Sequence, residues 1–415
     1  MNTRQALAVA GATAVGVAAA AAGVTLGLAA HLARVAVTVD RGLERPIRVR
    51  RVVEGESTRV WIAGQGAGAR GRHSLLFHAP GEDPGSAGDP DAAPGPDAAP
   101  DAAPAGHARL GPVLARSGDE VLRAVERVDS GSLVPGAAGR MVGWWYTAPE
   151  ELGYRVEEIS YETELGPMSA WIVHPRRARK KRWAVHVHGR GASPAETFRG
   201  IEPFARAGVT SIIITYRNDR GQPAGEHARY GMGISESRDI DAAIAEARSR
   251  GAERVTLMGW SMGGTASLIT VARGAHRDLI DGVILESPGA DWPGILRGKA
   301  SQHGLPRWIA DLGMTFLARG IVPSGELGGV DFEALRPEVL ARGLDVPTLI
   351  LASPNDSFVP WHGSQVIAAE RPELVQFVSV PGAGHVRLWN ADPEAWEQAV
   401  LTFVAALPRP GWRGR

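Results

Sequence analysis

Arg254-Val-Thr-Leu-Met-Gly-Trp-Ser-Met-Gly-Gly-Thr-Ala-Ser267 begins as a short apolar strand and ends in the small and apolar residues of a buried helix. Between the two lies Gly259-x-Ser261-x-Gly263. A strand that turns directly into a helix holds the residue at the corner in a strained conformation, and only glycine fits two positions before and after it. The Ser261 hydroxyl is thereby presented at the end of a sheet. The five-residue pattern also arises by chance, with an ordinary strand-to-helix turn as the competing reading; the flanking strand and helix supply the context it needs.

Outward from this corner the chain alternates. Val156–Thr163 and Met168–His174 read as a hairpin, followed by strands at Arg182–His188, Val209–Tyr216, Val255–Gly259, Ile280–Glu286, Pro347–Ala352 and Leu374–Val380. Helical patterns fall at Gly233–Gly251 and Pro393–Leu407. Strand and helix in turn predict a mostly parallel sheet with helices on both faces. The basic run Arg176–Arg182 between two strands reads as a solvated loop.

Several chemically useful residues fall just past strand ends. His188-Gly-Arg-Gly191 follows one strand, Ser353-Pro-Asn-Asp356 another and Pro381-Gly-Ala-Gly-His385 a third. A serine hydroxyl is a weak nucleophile until a histidine takes its proton, and the histidine needs an acid to fix its tautomer. Ser261, Asp356 and His385 occur in that order. Backbone N–H groups near Gly189 and at Met262 are placed to bind a developing oxyanion. Asp291 follows the Ile280–Glu286 strand and is a rival for the acid, but Asp291-Trp-Pro reads as the cap of a helix. Arg217-Asn218-Asp219 also sits past a strand, where loop structure and substrate contact are equally open readings.

On these residues the region from Leu152 to about residue 409 resembles the α/β-hydrolase superfamily, in the branch of serine aminopeptidase-like and prolyl-oligopeptidase-like catalytic domains. The resemblance implies an α/β-hydrolase fold in which Ser261 is nucleophile, His385 base and Asp356 acid, with the amides of Arg190 and Met262 as oxyanion donors. It implies a serine hydrolase cleaving a small-molecule or peptide acyl substrate, whether ester, thioester or amide, through an acyl-enzyme, with no metal or organic cofactor. A peptidase of the same fold and a catalytically silent scaffold used for binding are the alternatives. The fold is silent on substrate. Residues 287–346 fall where this fold carries a lid; there Trp308, Ile309, Leu312 and Phe316 share one helical face.

The residues before Leu152 lie outside the resemblance and are too few for a β-propeller. From Gln5 to Ala33 no residue carries a charge, with His31 neutral. That run is long enough to span a bilayer, so residues 1–34 are expected to be a single-pass membrane anchor, with a signal peptide cleaved near Ala20 or Ala29 as the alternative. Removal of residues 1–34 is then expected to leave a soluble, active enzyme. Arginines both precede and follow the run, so the side of the membrane stays open. Residues 35–151 read as a small β-rich region, with strands at Val35–Val39, Val60–Ile62 and Ser74–Phe77 and a hairpin turn at Gly64-x-Gly66. Within it, residues 79–105 repeat Pro-Asp-Ala-Ala-Pro and are expected to be a disordered linker. Basic and acidic residues balance at 45 each, which gives no field for nucleic acid, and no cysteine is present.

Overall fold

The uncharged N-terminal run forms one helix in the computed structural model, which describes residues 3–39, 45–80, 106–178 and 181–408, with backbone alone over residues 3–19. This helix, α1, extends over Thr3–Val37. The expected strand at Val35–Val39 is therefore its last turn, followed by an isolated bridge from Thr38 to Arg229. β-branched residues favour strands only weakly, and tertiary packing overrides them here: Ala33, Ala36 and Val37 are buried in the main core.

Six strands follow: β1 (Ile47–Val53), β2 (Arg59–Gly64), β3 (His73–His78), β4 (Gly106–Ser117), β5 (Glu120–Ser130) and β6 (Ala138–Val142). They close into a barrel in the order β1-β2-β5-β4-β3-β6. Its interior is filled by inward-facing side chains such as Ile47, Val49, Val60, Ile62, Leu75 and Phe77. The glycine turn after β2 is a turn but not a hairpin, because β3 pairs with β4 and β6 instead of β2. Local turn chemistry does not encode which strand the chain joins next. Beyond residue 80, the expected linker lies outside the described residues.

The second unit begins with β7 (Arg155–Thr163), β8 (Gly166–His174) and β9 (Arg182–Val187), then α2 (Ile201–Arg206), β10 (Thr210–Ile214) and α3 (Glu236–Ser249). It continues through β11 (Arg254–Trp260), α4 (Met262–Arg273), β12 (Ile280–Glu286), α5 (Trp292–Gln302), α6 (Arg307–Ala318) and α7 (Pro337–Arg342). It ends with β13 (Thr348–Ala352), α8 (His362–Glu370), β14 (Val375–Ser379), α9 (Leu388–Ala391) and α10 (Pro393–Ala406). The eight strands form one mixed sheet in the order β14-β13-β12-β11-β9-β10-β8-β7. β9 to β14 are parallel where they pair, while β7 and β8 are antiparallel.

Both faces of the parallel part are covered, which is why its strands read as continuous apolar runs. Val185, Val187, Leu257 and Val283 join the core beneath α3 and α4, whereas Ala184, Met258, Trp260 and Ile284 face Phe204 of α2 and Trp396 of α10. The aromatic run at residues 144–146 docks the barrel onto this unit. The rings of Trp145 and Tyr146 each lie 6.3 Å from that of Trp389. Gly71 passes so close to Asn390 that a Cβ there would overlap its carbonyl oxygen.

On α6 the expected apolar face is shifted. Ile309, Ala310, Gly313, Met314 and Leu317 are buried, while Trp308 is 54% exposed. The reason is a partner that periodicity does not show: α6 packs against α1, and a Cβ on Gly313 would lie 3.0 Å from the Ala29 carbonyl oxygen.

Candidate active site

Ser261 closes β11 and precedes α4, with φ 51° and ψ −116°. A non-glycine residue there is strained and persists only because its surroundings over-determine it. A Cβ on Gly259 would lie 2.5 Å from the Gly263 carbonyl oxygen, and one on Gly263 would overlap the backbone oxygens of Val187 and His188. Glycine at both positions is thus a steric requirement of the corner. The Ser261 amide donates to the Glu286 carbonyl at 3.0 Å, tying the corner to the end of β12.

Asp356 and His385 follow the adjacent strands β13 and β14, but Ser261 lies two strands further across the sheet. At about 4.8 Å per strand, the loop after β14 must carry His385 back about 14 Å to reach it. That loop is held by Gly382, whose amide donates to Asn355 Oδ1 at 2.7 Å, and it turns sharply after the histidine, where Val386 has φ 46°. As a result His385 Nε2 lies 2.9 Å from Ser261 Oγ, and His385 Nδ1 lies 2.7 Å from Asp356 Oδ2. A neutral ring that donates from Nδ1 to the carboxylate leaves Nε2 to accept from the hydroxyl. Asp356 Oδ1 accepts from the amides of Phe358 and Val359 at 2.9 and 2.8 Å, which fixes the carboxylate. Asp291 instead caps α5, accepting from Gly294 N at 2.9 Å.

The loop after β9 lies against the serine: a Cβ on Gly189 would lie 3.0 Å from Ser261 Cβ. Its geometry is fixed from several sides. The Gly189 amide donates to Glu196 Oε2 at 2.7 Å, the Gly191 amide to the Tyr230 hydroxyl at 2.9 Å, and the Tyr216 hydroxyl to the Gly189 carbonyl at 3.0 Å. Buried His188 stacks on Tyr216 at 4.3 Å and holds Asp219 through Nε2 at 2.8 Å. Burial opposes charge on this imidazole, but Asp219 and the Gly189 carbonyl outweigh it and hold the ring above its ordinary pKa. Arg190 and Met262 both flank Ser261; Met262 opens α4, so its amide has no intrahelical acceptor.

Beneath the corner lies a buried ion pair that sequence reasoning missed. Glu286 sits 3.5 Å from Arg199 and accepts from Trp260 Nε1 and the Leu388 amide, each at 3.1 Å. Burial raises the Glu286 carboxyl above its ordinary range against the pull of Arg199. An acidic residue directly after the apolar run Val283-Ile-Leu285 of a central strand was the available signal, since such a residue is rarely buried without a partner. Arg217 is likewise structural, donating from Nε to Asp239 Oδ2 at 2.8 Å, and none of residues 217–219 lines the space in front of Ser261.

That space is a cavity of about 840 Å³. Its apolar wall includes Trp292, Ile295 and Leu296 of α5, Met314 and Leu317 of α6, and Phe358. A further wall is the last turns of α1 and the two residues after it, His31 to Ala36 with Thr38 and Val39. Sequence reasoning, which took residues 1–34 for a membrane anchor or signal peptide, missed this wall entirely. No aspartate or glutamate is among the described residues that line the cavity.

The sequence profile of a family described as the alpha/beta hydrolase family matches residues 184–399. A second profile, described as a domain of unknown function, matches residues 100–142 in the barrel region. No curated protein matches the chain in sequence. Among solved structures, similarity extends to an esterase of Pyrococcus furiosus, at 18% identity and a TM-score of 0.49 over 63% of this chain and 96% of that one. An esterase of Exiguobacterium antarcticum matches at 17% identity and 0.42, over 60% of this chain and 100% of that one. A serine hydrolase of Xanthomonas campestris described as having no lid matches at 16% and 0.43, over 61% and 96%.

Proposed function

This chain belongs to the alpha/beta hydrolase family, and from that premise we propose that it is a serine hydrolase that cleaves carboxylic esters or thioesters through an acyl-enzyme. The observation that carries the proposal is the unbroken hydrogen-bonded line from Ser261 through His385 to Asp356, at 2.9 and 2.7 Å, on a strained corner that points the hydroxyl at an open cavity. In this reading Ser261 Oγ attacks the acyl carbon while His385 Nε2 takes its proton. The carbonyl π electrons move onto oxygen, and the amides of Met262 and Arg190 stabilise that charge. Collapse of the tetrahedral intermediate breaks the bond to the leaving alcohol or thiol, which departs with the proton from His385. Water, deprotonated by the same nitrogen, then releases the acid and restores Ser261. Asp356 keeps the imidazole in the tautomer that both half-reactions use.

The lining of the cavity favours an acyl ester over a free-amino peptide. A substrate ammonium taken into an apolar space needs a carboxylate partner, and the described lining residues offer none. As part of the same proposal, α5 and α6 act as a lid over the serine, and α1 is a membrane span. The helix is long and apolar enough to cross a bilayer, with its qualifying stretch at residues 20–37, and Val24, before the part packed on the hydrolase core, is 72% exposed.

An alkyl fluorophosphonate probe tests the proposal. It should label the full-length protein, and Ser261→Ala should abolish both labelling and ester turnover while leaving the circular dichroism spectrum unchanged. Ester hydrolysis surviving in a folded Ser261→Ala protein sinks it.

A further inference from the structure

The substrate cavity is built in part from the helix that leads out of the molecule. Ala33 and Ala36 of α1 are buried against the hydrolase core, and Leu32, Val35 and Val39 line the same cavity as Ser261. Towards the N-terminus the helix parts from the protein: Gly23 and Gly27 have open space where a side chain would be, and Val24 and Leu26 are exposed. The helix before Ala29 is 26 residues long, about 39 Å at 1.5 Å per residue, more than the ~30 Å hydrocarbon core of a bilayer. It also carries no charge from Gln5 onward. If this free part spans the membrane, the base of the helix, which is the cavity wall, lies at the membrane surface. Trp308 is exposed on α6, the helix packed against α1, and is the residue type that settles at such an interface.

The same base is tied to the catalytic loop. Arg190 Nη2 donates to the carbonyls of Val35 and Thr38 at 2.7 and 2.8 Å, and the Tyr230 amide donates to the Val37 carbonyl at 2.8 Å. The last carbonyls of α1, which have no acceptor role within the helix, are therefore held by residues of the site. An apolar cavity beside the serine, walled by a membrane helix, is reached by a chain sliding out of the bilayer along that helix without crossing water.

We propose that the substrate is an ester or thioester of a long acyl chain carried by a membrane amphiphile, and that α1 is the wall along which the chain passes from the bilayer to Ser261. This rests on the serine-hydrolase reading above and adds the substrate class to it. The leaving group stays at the polar rim formed by Arg34, Lys299 and His303 while the acyl chain occupies the apolar interior.

The test uses the full-length chain in detergent with p-nitrophenyl esters of graded length, and in vesicles with a long-chain fluorogenic ester. In detergent, kcat/KM should rise about fourfold for each added methylene until the cavity is filled, as burial of about 0.8 kcal/mol per methylene requires. Leu32→Asp, on α1, and Met314→Asp, on α6, should each flatten that rise. The second variant guards against a failure of the first to fold. In vesicles, ester placed in the same bilayer as the protein should be hydrolysed at least tenfold faster than ester placed in separate vesicles. A profile independent of chain length, or equal rates from the two vesicle arrangements, overturns the inference while Ser261-dependent hydrolysis of short esters still stands. Absence of Ser261-dependent hydrolysis of any ester overturns the underlying reading instead.

Discussion

Arg190 Nη2 donates to the carbonyl oxygen of Val35 at 2.7 Å, joining the loop that flanks the serine to the last turn of the N-terminal helix. Because the amide of the same residue is the proposed oxyanion donor, loosening the side chain should disturb the chemistry as well as the packing. Arg190→Leu is expected to cost about 1–3 kcal/mol of stability from lost charge-assisted hydrogen bonds and about tenfold in kcat, with Arg190→Lys recovering part of both. Urea denaturation and steady-state kinetics of the two variants check this; unchanged kcat in Arg190→Leu separates helix docking from catalysis.

His385 has one carboxylate partner among the described residues, Asp356, while Asp291 is occupied as a helix cap. Asp356→Asn should lower turnover by about 10⁴, because an amide favours the wrong imidazole tautomer. Asp291→Asn should change it little, since asparagine caps a helix about as well as aspartate. Measuring kcat for both decides the assignment, and a crippled Asp291→Asn reverses it.

Glycines 263 and 298 offer a contrast within one chain. A Cβ at Gly263 has no space, so Gly263→Ala should abolish activity and cost several kcal/mol by overpacking. A Cβ at Gly298, inside α5, meets nothing within 4 Å, and Gly298→Ala should stabilise by about 0.5–1 kcal/mol. Thermal unfolding of the pair is the measurement.

Acid should destabilise the protein in a definite window. Burial lowers the pKa of His186 to about 3, so the native state keeps this ring neutral while the unfolded chain takes up a proton below its ordinary value of 6.5. The unfolded state then binds more protons, and stability present above pH 6.5 is lost as the pH falls towards 3, by at most about 1.4 kcal/mol per pH unit from this group. Buried His73, also held well below its ordinary pKa, adds in the same direction. His186→Gln should reduce the slope of unfolding free energy against pH between 6 and 4; an unchanged slope means that the ring does not titrate on unfolding.

Truncation separates the two roles of α1. Ala29, Ala33, Ala36 and Val37 are buried against the hydrolase unit, so deletion of residues 1–38 should expose Leu317 and Met314 and yield an unstable, inactive protein. Deletion of residues 1–19 should leave that packing in place. Activity and thermal midpoints of both truncations, purified in detergent, test this, and a stable, active product of the longer deletion would restore the helix to a mere tether.

What the sequence determined by itself is local. Gly259, Ser261 and Gly263 declare a strained corner because no other side chains fit there, and the apolar runs from Arg182 to Ala352 declare a sheet covered on both faces. Asp356 and His385 stood out as candidates because each follows a strand after a short run of turn residues. What only the tertiary structure decided depends on which distant surfaces meet. Val35 to Val39 has the composition of a strand, yet its first three residues are helical because Ala33, Ala36 and Val37 find a core to pack against. Periodicity put Trp308 on the buried face of α6, but Gly313 took the inner position, where even a Cβ would press on the Ala29 carbonyl oxygen of α1 at 3.0 Å. Arg190 shows no sign in sequence of reaching Val35, 155 residues away, and Glu286 none of meeting Arg199. Such pairings follow from the order of strands and the seating of helices, which no segment encodes alone.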